Sequence, residues 1–307
     1  MKASHNIAAL IYLKNKVHKW KNVSVLLGVL SFLLVVRVIF GGSLSDGLAG
    51  GDYIASIKIE GVISEDEDRS EILAKIANES SIKAVIVNID SPGGGIVGSE
   101  ILFEDLRNIA ARKPIVVTMG SAAASGGYMA AIASDYIIAR NGTLTGSVGV
   151  VMESPDVTDL AKKVGVTFNL YKSSELKGSP SPFEKSSKAV NQVINASIQD
   201  SYQFFSDLVR QRRGKKLDKN NNHILDGRVF TGRQALKAGL VDEIGGREQA
   251  LNYLEKAHKI NVKNLEVKQV TITKDESKFL DKFFGLLPFF NGAQAINSSQ
   301  KIMAVMP

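Results

Sequence analysis

The sequence contains no cysteine, and histidine is scarce, with four in 307 residues. The missing thiols exclude a disulfide scaffold, a cysteine nucleophile and a thiolate metal site. They leave the redox compartment open, because a core of this size needs no covalent staples. The histidines are His5, His18, His223 and His258. The first two precede a long apolar run, His223 stands in a polar loop, and His258 follows a predicted helix. Neither of the last two adjoins a glycine-rich turn, so a Ser-His-Asp triad or a histidine metal site lacks its central member. HExxH, a Walker-type GxxxxGKS and a GxGxxG after a strand are also missing. Neither a metal nor a cofactor is expected.

Acidic residues are absent where basic ones crowd. The chain carries 38 Lys and Arg against 31 Asp and Glu, a formal charge of +7. Residues 1–22 hold Lys2, Lys14, Lys16, Lys19 and Lys21 with no acid, and Arg37 follows. Without these six residues the balance is 32 to 31, which leaves no global field for gripping phosphates. A nucleic-acid partner is not expected.

The basic segment runs into VSVLLGVLSFLLVVRVIF, Val23–Phe40, broken only by Arg37. A bilayer core takes about 20 apolar residues as a helix, and an arginine near one end can snorkel to the interface. Lysines ahead of the run place that end in the cytoplasm. The expectation is an uncleaved single-pass anchor in the inner membrane, with everything after Gly41 on the extracytoplasmic side. A cleaved signal peptide is the competing reading, with Gly47-Leu48-Ala49 as a small-residue cleavage site. The expected organisation is a basic N-terminus (1–22), an anchor (23–40), a Gly/Ser-rich linker (41–51), a folded domain (52–278) and an apolar tail (279–307). The tail, with FLDKFFGLLPFF, reads as a packing segment or as a contact with a membrane surface or partner.

Within the folded domain strand and helix patterns alternate, which argues for an α/β fold. Strands are expected at Tyr53–Ile63, Ile82–Ile89, Pro114–Met119, Tyr136–Ala139 and Gly146–Val151. Helices are expected at 69–78, Ser99–Ala111, Ala122–Ala133, 184–212 and 247–257. Residues 226–246 hold a helix and a strand.

Three glycine-rich turns stand at strand ends. Ser91-Pro92-Gly93-Gly94 is a plain turn on its own, although glycines there also let backbone N–H groups approach a ligand. Gly120–Tyr128 leads a strand into small residues, and Ser125 precedes Gly126 and Gly127. A serine at such a junction presents its hydroxyl beside the next N–H, although close packing through small residues explains the same pattern. Thr145-Gly146-Ser147-Val148-Gly149 shapes a pocket rather than reacting. A serine nucleophile needs a base. Without a suitable histidine, a lysine whose charge is disfavoured by burial is the alternative. Lys177 lies in Glu175–Phe183, beside Pro180 and Pro182.

Together these segments resemble the bacterial signal peptide peptidase A family, also called protease IV. The matching stretches are VNIDSPGGG, TMGSAAASGGYMAA (118–131), LTGSVGVV (144–151), LKGSPSPFEK (176–185) and DGRVFTGRQALKAGLVDEIGG (226–246). They occur in the family's order, and the chain looks like its short, single-repeat, membrane-anchored form. The resemblance implies a ClpP/crotonase-like repeated ββα spiral preceded by one transmembrane helix. It implies Ser125 as nucleophile and Lys177 as general base, with Lys172 as the fallback base and Ser121 as the next serine to test. Oxyanion donors would be the N–H groups of Gly94, with Gly93 second, and Gly126. Gly93, Gly146 and Ser147 would contact substrate. The sequence departs from the family at Gly178, where an Asp is usual, and at Glu184, where an Arg is usual. The resemblance further implies a serine endopeptidase acting on signal-peptide remnants and other short apolar peptides, in homo-oligomers whose protomers share sites. Rivals are a related peptidase acting on misfolded or membrane proteins, a crotonase-like acyl-CoA enzyme and a silent membrane scaffold.

Overall fold

The computed structural model describes residues 51–272, together with Leu27, Gly28 and Ser31, which are helical. Apart from those three, the expected anchor at 23–40 lies outside the described residues, as does the tail at 279–307. Among the described residues no helix is long and apolar enough to cross a membrane. The chain divides into two units, Met1–Gly51 and Asp52–Pro307.

The second unit is built on one sheet. Strands β1 (Tyr53–Ile63), β2 (Ile82–Gly94) and β3 (Ile115–Ala124) are joined by helices α1 (Glu67–Asn78) and α2 (Ile96–Ala110). Next come α3 (Gly126–Ala131), β4 (Tyr136–Ala139), β5 (Leu144–Gly146), α4 (Thr158–Lys163) and the long α5 (Lys188–Arg213). Strand β6 (Val229–Thr231), α6 (Gly232–Ala238), β7 (Glu243–Ile244), α7 (Arg247–His258) and β8 (Glu266–Val270) complete it. The strand order is β6-β5-β3-β2-β1-β8, and β4 and β7 form a side branch off β3. Every pairing is parallel except β5 with β6. The expected α/β class is borne out.

The sheet is buried on both faces where its strands are β-branched and apolar, as parallel sheets require. Val85, Val87 and Ile89 of β2 pack into the larger core with Leu73 of α1, Leu102 and Leu106 of α2, and Phe205 of α5. The alternate residues Ala84 and Ile86 face Ala250 and Leu254 of α7. Helix α1 begins where the Asp66 carboxylate accepts the Arg69 N–H at 2.9 Å, satisfying a donor that the first turn leaves unpaired.

The branch at β3 positions the site. Val116–Thr118 pair with Tyr136–Ile138 of β4, whereas Ala122–Ala124 pair with Leu144–Gly146 of β5. Two sequence expectations are corrected here. The helix expected over Ala122–Ala133 starts only at Gly126, because the three alanines extend β3. Alanine's helix preference yields to pairing with β5 and to the Thr145 hydroxyl, which donates to the Ala123 carbonyl at 2.6 Å. The strand expected over Gly146–Val151 instead ends at Gly146. There φ is +77° at Gly146 and +52° at Ser147, which turns the chain out of the sheet.

Candidate active site

Ser125 occupies the single residue between β3 and α3, with φ 53° and ψ −121°. A side chain with a β-carbon rarely adopts that conformation, so the surrounding structure must hold it. It does so from both sides. The Ser125 N–H donates to the Gly146 carbonyl, and its own carbonyl accepts the first helical N–H, from Met129, each at 2.9 Å. The hydroxyl takes no part in capping α3. Ser125 is half-buried and lines a cavity of about 310 Å³.

The C-terminal end of β2, which runs on past the expected Ile89 through Gly93 and Gly94, is pressed against this junction. Gly93 has φ +110°, and a β-carbon on it would lie 2.8 Å from the Gly126 nitrogen and 2.9 Å from Ser125 Cβ. A β-carbon on Gly126 would lie 3.3 Å from the Gly94 nitrogen. Only glycine permits this backbone-to-backbone approach. Ser91, fully buried, accepts the Gly93 N–H at 3.1 Å and so fixes this stretch. Gly94 and Gly126 both line the cavity beside Ser125. The Gly126 N–H belongs to the first turn of α3, which has no acceptor within the helix. Such a pair of backbone nitrogens at a nucleophile is the arrangement that stabilises an acyl-transfer oxyanion.

Three of the expected residues, Ser125, Gly94 and Gly126, therefore share one cavity. Gly93, Gly146 and Ser147 do not line it. Gly146 supplies the carbonyl that holds Ser125, and the Ser147 N–H donates to the Arg228 carbonyl at 2.9 Å. Ser121 is exposed on β3 and lies off the cavity. His223 faces Asp226 and His258 packs edge-on against Tyr253. Neither lines the cavity.

Lys177 is not among the cavity residues of its own chain. It is exposed on the segment between Ser147 and α5, where its N–H donates to the Ser174 carbonyl at 3.2 Å. Lys172 is bonded to Ser179 and Glu184. One chain alone thus brings Ser125, Gly94 and Gly126 together, but not Lys177.

Sequence reasoning missed the far wall of the cavity. Ser99 and Met129 line it from α2 and α3, Val150 from the chain after Ser147, and Ile198 and Phe205 from α5. Phe205 had a detectable signal as an apolar position of a long amphipathic helix. That signal marks a core residue and does not point to a cavity.

The model of peptidase family S49 matches residues 107–261, half of the chain and all of the segment from α3 to α7. The chain belongs to peptidase family S49. Protease 4 of Haemophilus influenzae is 36% identical over 213 residues, covering 66% of this chain and 34% of that protein. Protease 4 of Salmonella typhi is 30% identical over 272 residues, 87% of this chain and 42% of its own length. The chloroplastic serine protease SPPA of Arabidopsis thaliana is 32% identical over 257 residues, 78% of this chain and 37% of its own. The chain spans less than half the length of these relatives. Membership in S49 bears out the expected signal peptide peptidase A kinship, and Ser125 stands inside the matched segment.

Proposed function

We propose that this chain is a membrane-anchored serine endopeptidase in which Ser125 is the nucleophile and Lys177 of a neighbouring copy is the base. The observation that carries the reading is the backbone of Ser125. It is held at φ 53° on the cavity wall, with Gly94 and Gly126 pressed beside it. In the first step Lys177 takes the Ser125 proton and Oγ attacks a peptide carbonyl. The C–N bond breaks as the lysine returns its proton to the leaving amine. Water then hydrolyses the acyl-enzyme. The N–H groups of Gly94 and Gly126 would hold the developing oxyanion, each contributing about 2.7–4 kcal/mol to lowering the barrier.

Apolar side chains on the cavity wall, among them Ile96, Met129, Val150 and Phe205, support short apolar peptides as substrates, cleaved signal peptides included. Exposed Leu160, Val164, Val166 and Phe168 support assembly, since a cluster of large apolar residues on a surface marks an interaction site. That assembly would carry Lys177 to the next copy's serine. The lysine-flanked run Val23–Phe40 supports an inner-membrane location with the cytoplasm on the N-terminal side.

The deciding experiment uses the purified full chain and a fluorogenic apolar peptide. Ser125→Ala and Lys177→Ala each abolish cleavage in folded protein. Mixing the two inactive variants restores part of it, because some sites then combine an intact serine with an intact lysine. An active-serine phosphonate labels the wild type and spares Ser125→Ala. Turnover by Ser125→Ala would overturn the assignment. Absence of labelling, together with acyl-CoA turnover, would favour a crotonase-type enzyme.

A further inference from the structure

We infer that Lys172, Ser179 and Glu184 form a clasp that fixes the loop presenting Lys177, so that Lys172 is a positioning residue and not the base. This deepens the reading above and rests on it.

The chain leaves residue 172 and returns to residue 184 at a single polar junction. Lys172 Nζ donates to Ser179 Oγ at 2.9 Å and also to Glu184 Oε1. Ser179 Oγ donates to that same carboxylate oxygen at 2.7 Å. The three groups close a triangle, and each side of it is a hydrogen bond. The Lys172 and Glu184 side chains are only 17% and 30% exposed, although the surrounding segment is largely in solvent. The hydrogen bonds from Lys172 and Ser179 hold the Glu184 carboxyl below its usual range.

Further ties reinforce the junction. The Phe168 and Phe183 rings stand 4.3 Å apart, between centroids. Ser187 Oγ donates to Glu175 Oε1 at 2.6 Å. The Val157 N–H donates to the Pro182 carbonyl at 2.9 Å. Lys177 stands two residues before Ser179, in a turn where the Ser179 N–H donates to the Leu176 carbonyl at 3.3 Å. The loop is thus cross-linked on both sides of the exposed Lys177.

This division of labour follows from chemistry. A general base must come within about 2.6–3.2 Å of the proton it takes. A lysine on a flexible four-carbon stem meets that demand only if its backbone is placed for it. Lys172 cannot fill the role while clasped, since its ammonium donates to an anion and to a hydroxyl that is itself bonded to that anion. Misplacing a catalytic group by about 1 Å costs about a hundredfold in rate.

The test compares kcat and KM of the full chain for Lys172→Met, Lys172→Arg, Glu184→Gln and Lys177→Ala, all with Ser125 intact. Loss of the clasp is expected to lower kcat about tenfold to a hundredfold in Lys172→Met and Glu184→Gln. KM should stay nearly unchanged, and Lys172→Arg should recover most of the rate. Lys177→Ala should be dead. Wild-type kcat in both Lys172→Met and Glu184→Gln would overturn the inference. So would an inactive Lys172→Arg accompanied by an active Lys177→Ala, which would make Lys172 the base. If Lys172→Met does not fold, Glu184→Gln and the charge-exchanged pair, Lys172→Glu with Glu184→Lys, decide. Recovery of kcat in the exchanged pair supports the clasp, and no recovery refutes it. The parent reading fails separately, through a Ser125→Ala protein that still turns over.

Discussion

Ser99 and Gly126 lie in direct contact, and a β-carbon on Gly126 would stand 2.1 Å from the Ser99 hydroxyl oxygen. Ser99 is 1% exposed and donates to the Gly95 carbonyl at 2.8 Å. One serine therefore braces the start of α2, which follows the SPGG stretch, against the start of α3, which follows Ser125. The distance between the Gly94 and Gly126 N–H groups, the proposed oxyanion donors, depends on that contact.

Gly126→Ala should consequently remove activity without removing Ser125. The added methyl must push either Ser99 or α3 aside, which displaces one donor. Loss of one oxyanion donor lowers kcat by about a hundredfold to a thousandfold. Single-turnover acylation kinetics will show the loss in the acylation step. Wild-type acylation in this variant would remove Gly126 from the site.

Two nearby glycines, Gly93 and Gly95, should differ sharply. Gly93 has φ +110° and its β-carbon would meet the Gly126 nitrogen, whereas nothing lies within 4 Å of a β-carbon on Gly95. Gly95 also has an ordinary φ of −61°. Gly93→Ala should cost about 1–3 kcal/mol in backbone strain alone, and Gly95→Ala no more than about 1 kcal/mol as a poorer helix cap. Urea unfolding of both variants checks the contrast, and equal midpoints would contradict it.

Acid should loosen the domain through Asp242. Its side chain is 7% exposed and takes hydrogen bonds from Arg213 at 2.9 Å, Lys216 at 2.6 Å and the Ile137 N–H at 2.9 Å. Burial pushes its carboxyl up, but the bonds from Arg213 and Lys216 outweigh it and the net shift is downward. The folded state therefore binds this proton less readily than the unfolded chain does. The stabilisation is complete above about pH 4, the unfolded value, and is lost as pH falls through the lower folded value. Asp242→Asn should cost about 3–5 kcal/mol at neutral pH, because the buried Arg213 keeps its bonds to the Gly239 carbonyl but loses its counter-charge. It should also flatten the stability profile below pH 4. Denaturant titrations between pH 2 and 7 measure both effects.

Assembly should be needed for turnover. A charge placed in the exposed apolar segment, as in Leu160→Asp or Val164→Asp, should dissociate copies and abolish peptide cleavage in a folded protein. Analytical ultracentrifugation alongside activity at matched concentrations checks this. A fully active monomer would contradict the shared site.

Much of the strand framework was legible because its signals are local. Tyr53–Ile63 and Tyr136–Ala139 have the observed bounds, since β-branched alternation and flanking turns mark them. Ala122–Ala124 were misread because alanine carries a helix preference and no strand signal, while their pairing with β5 is a tertiary fact. The glycine turns pointed to Ser125, Gly94 and Gly126 because close backbone approach leaves a compositional trace. The roles of Gly93 and Gly146 did not follow, since a glycine that braces a wall and one that lines it look alike in sequence. The partners of Lys172 were illegible as well, because a twelve-residue spacing to Glu184 belongs to no regular element.

The bond between the Ser125 N–H and the Gly146 carbonyl continues the ladder of β3 and β5 by one rung past the end of β3. Ser125 is thus rooted in the sheet rather than carried on a lid. Deuterium can reach its amide only when those two strands part. Exchange at that position should be as slow as exchange in the middle of β3. Local melting around Ser125 would have to break the sheet itself, so on the proposed reading activity would be set by the meeting of copies rather than by a loosening of the serine's own surroundings.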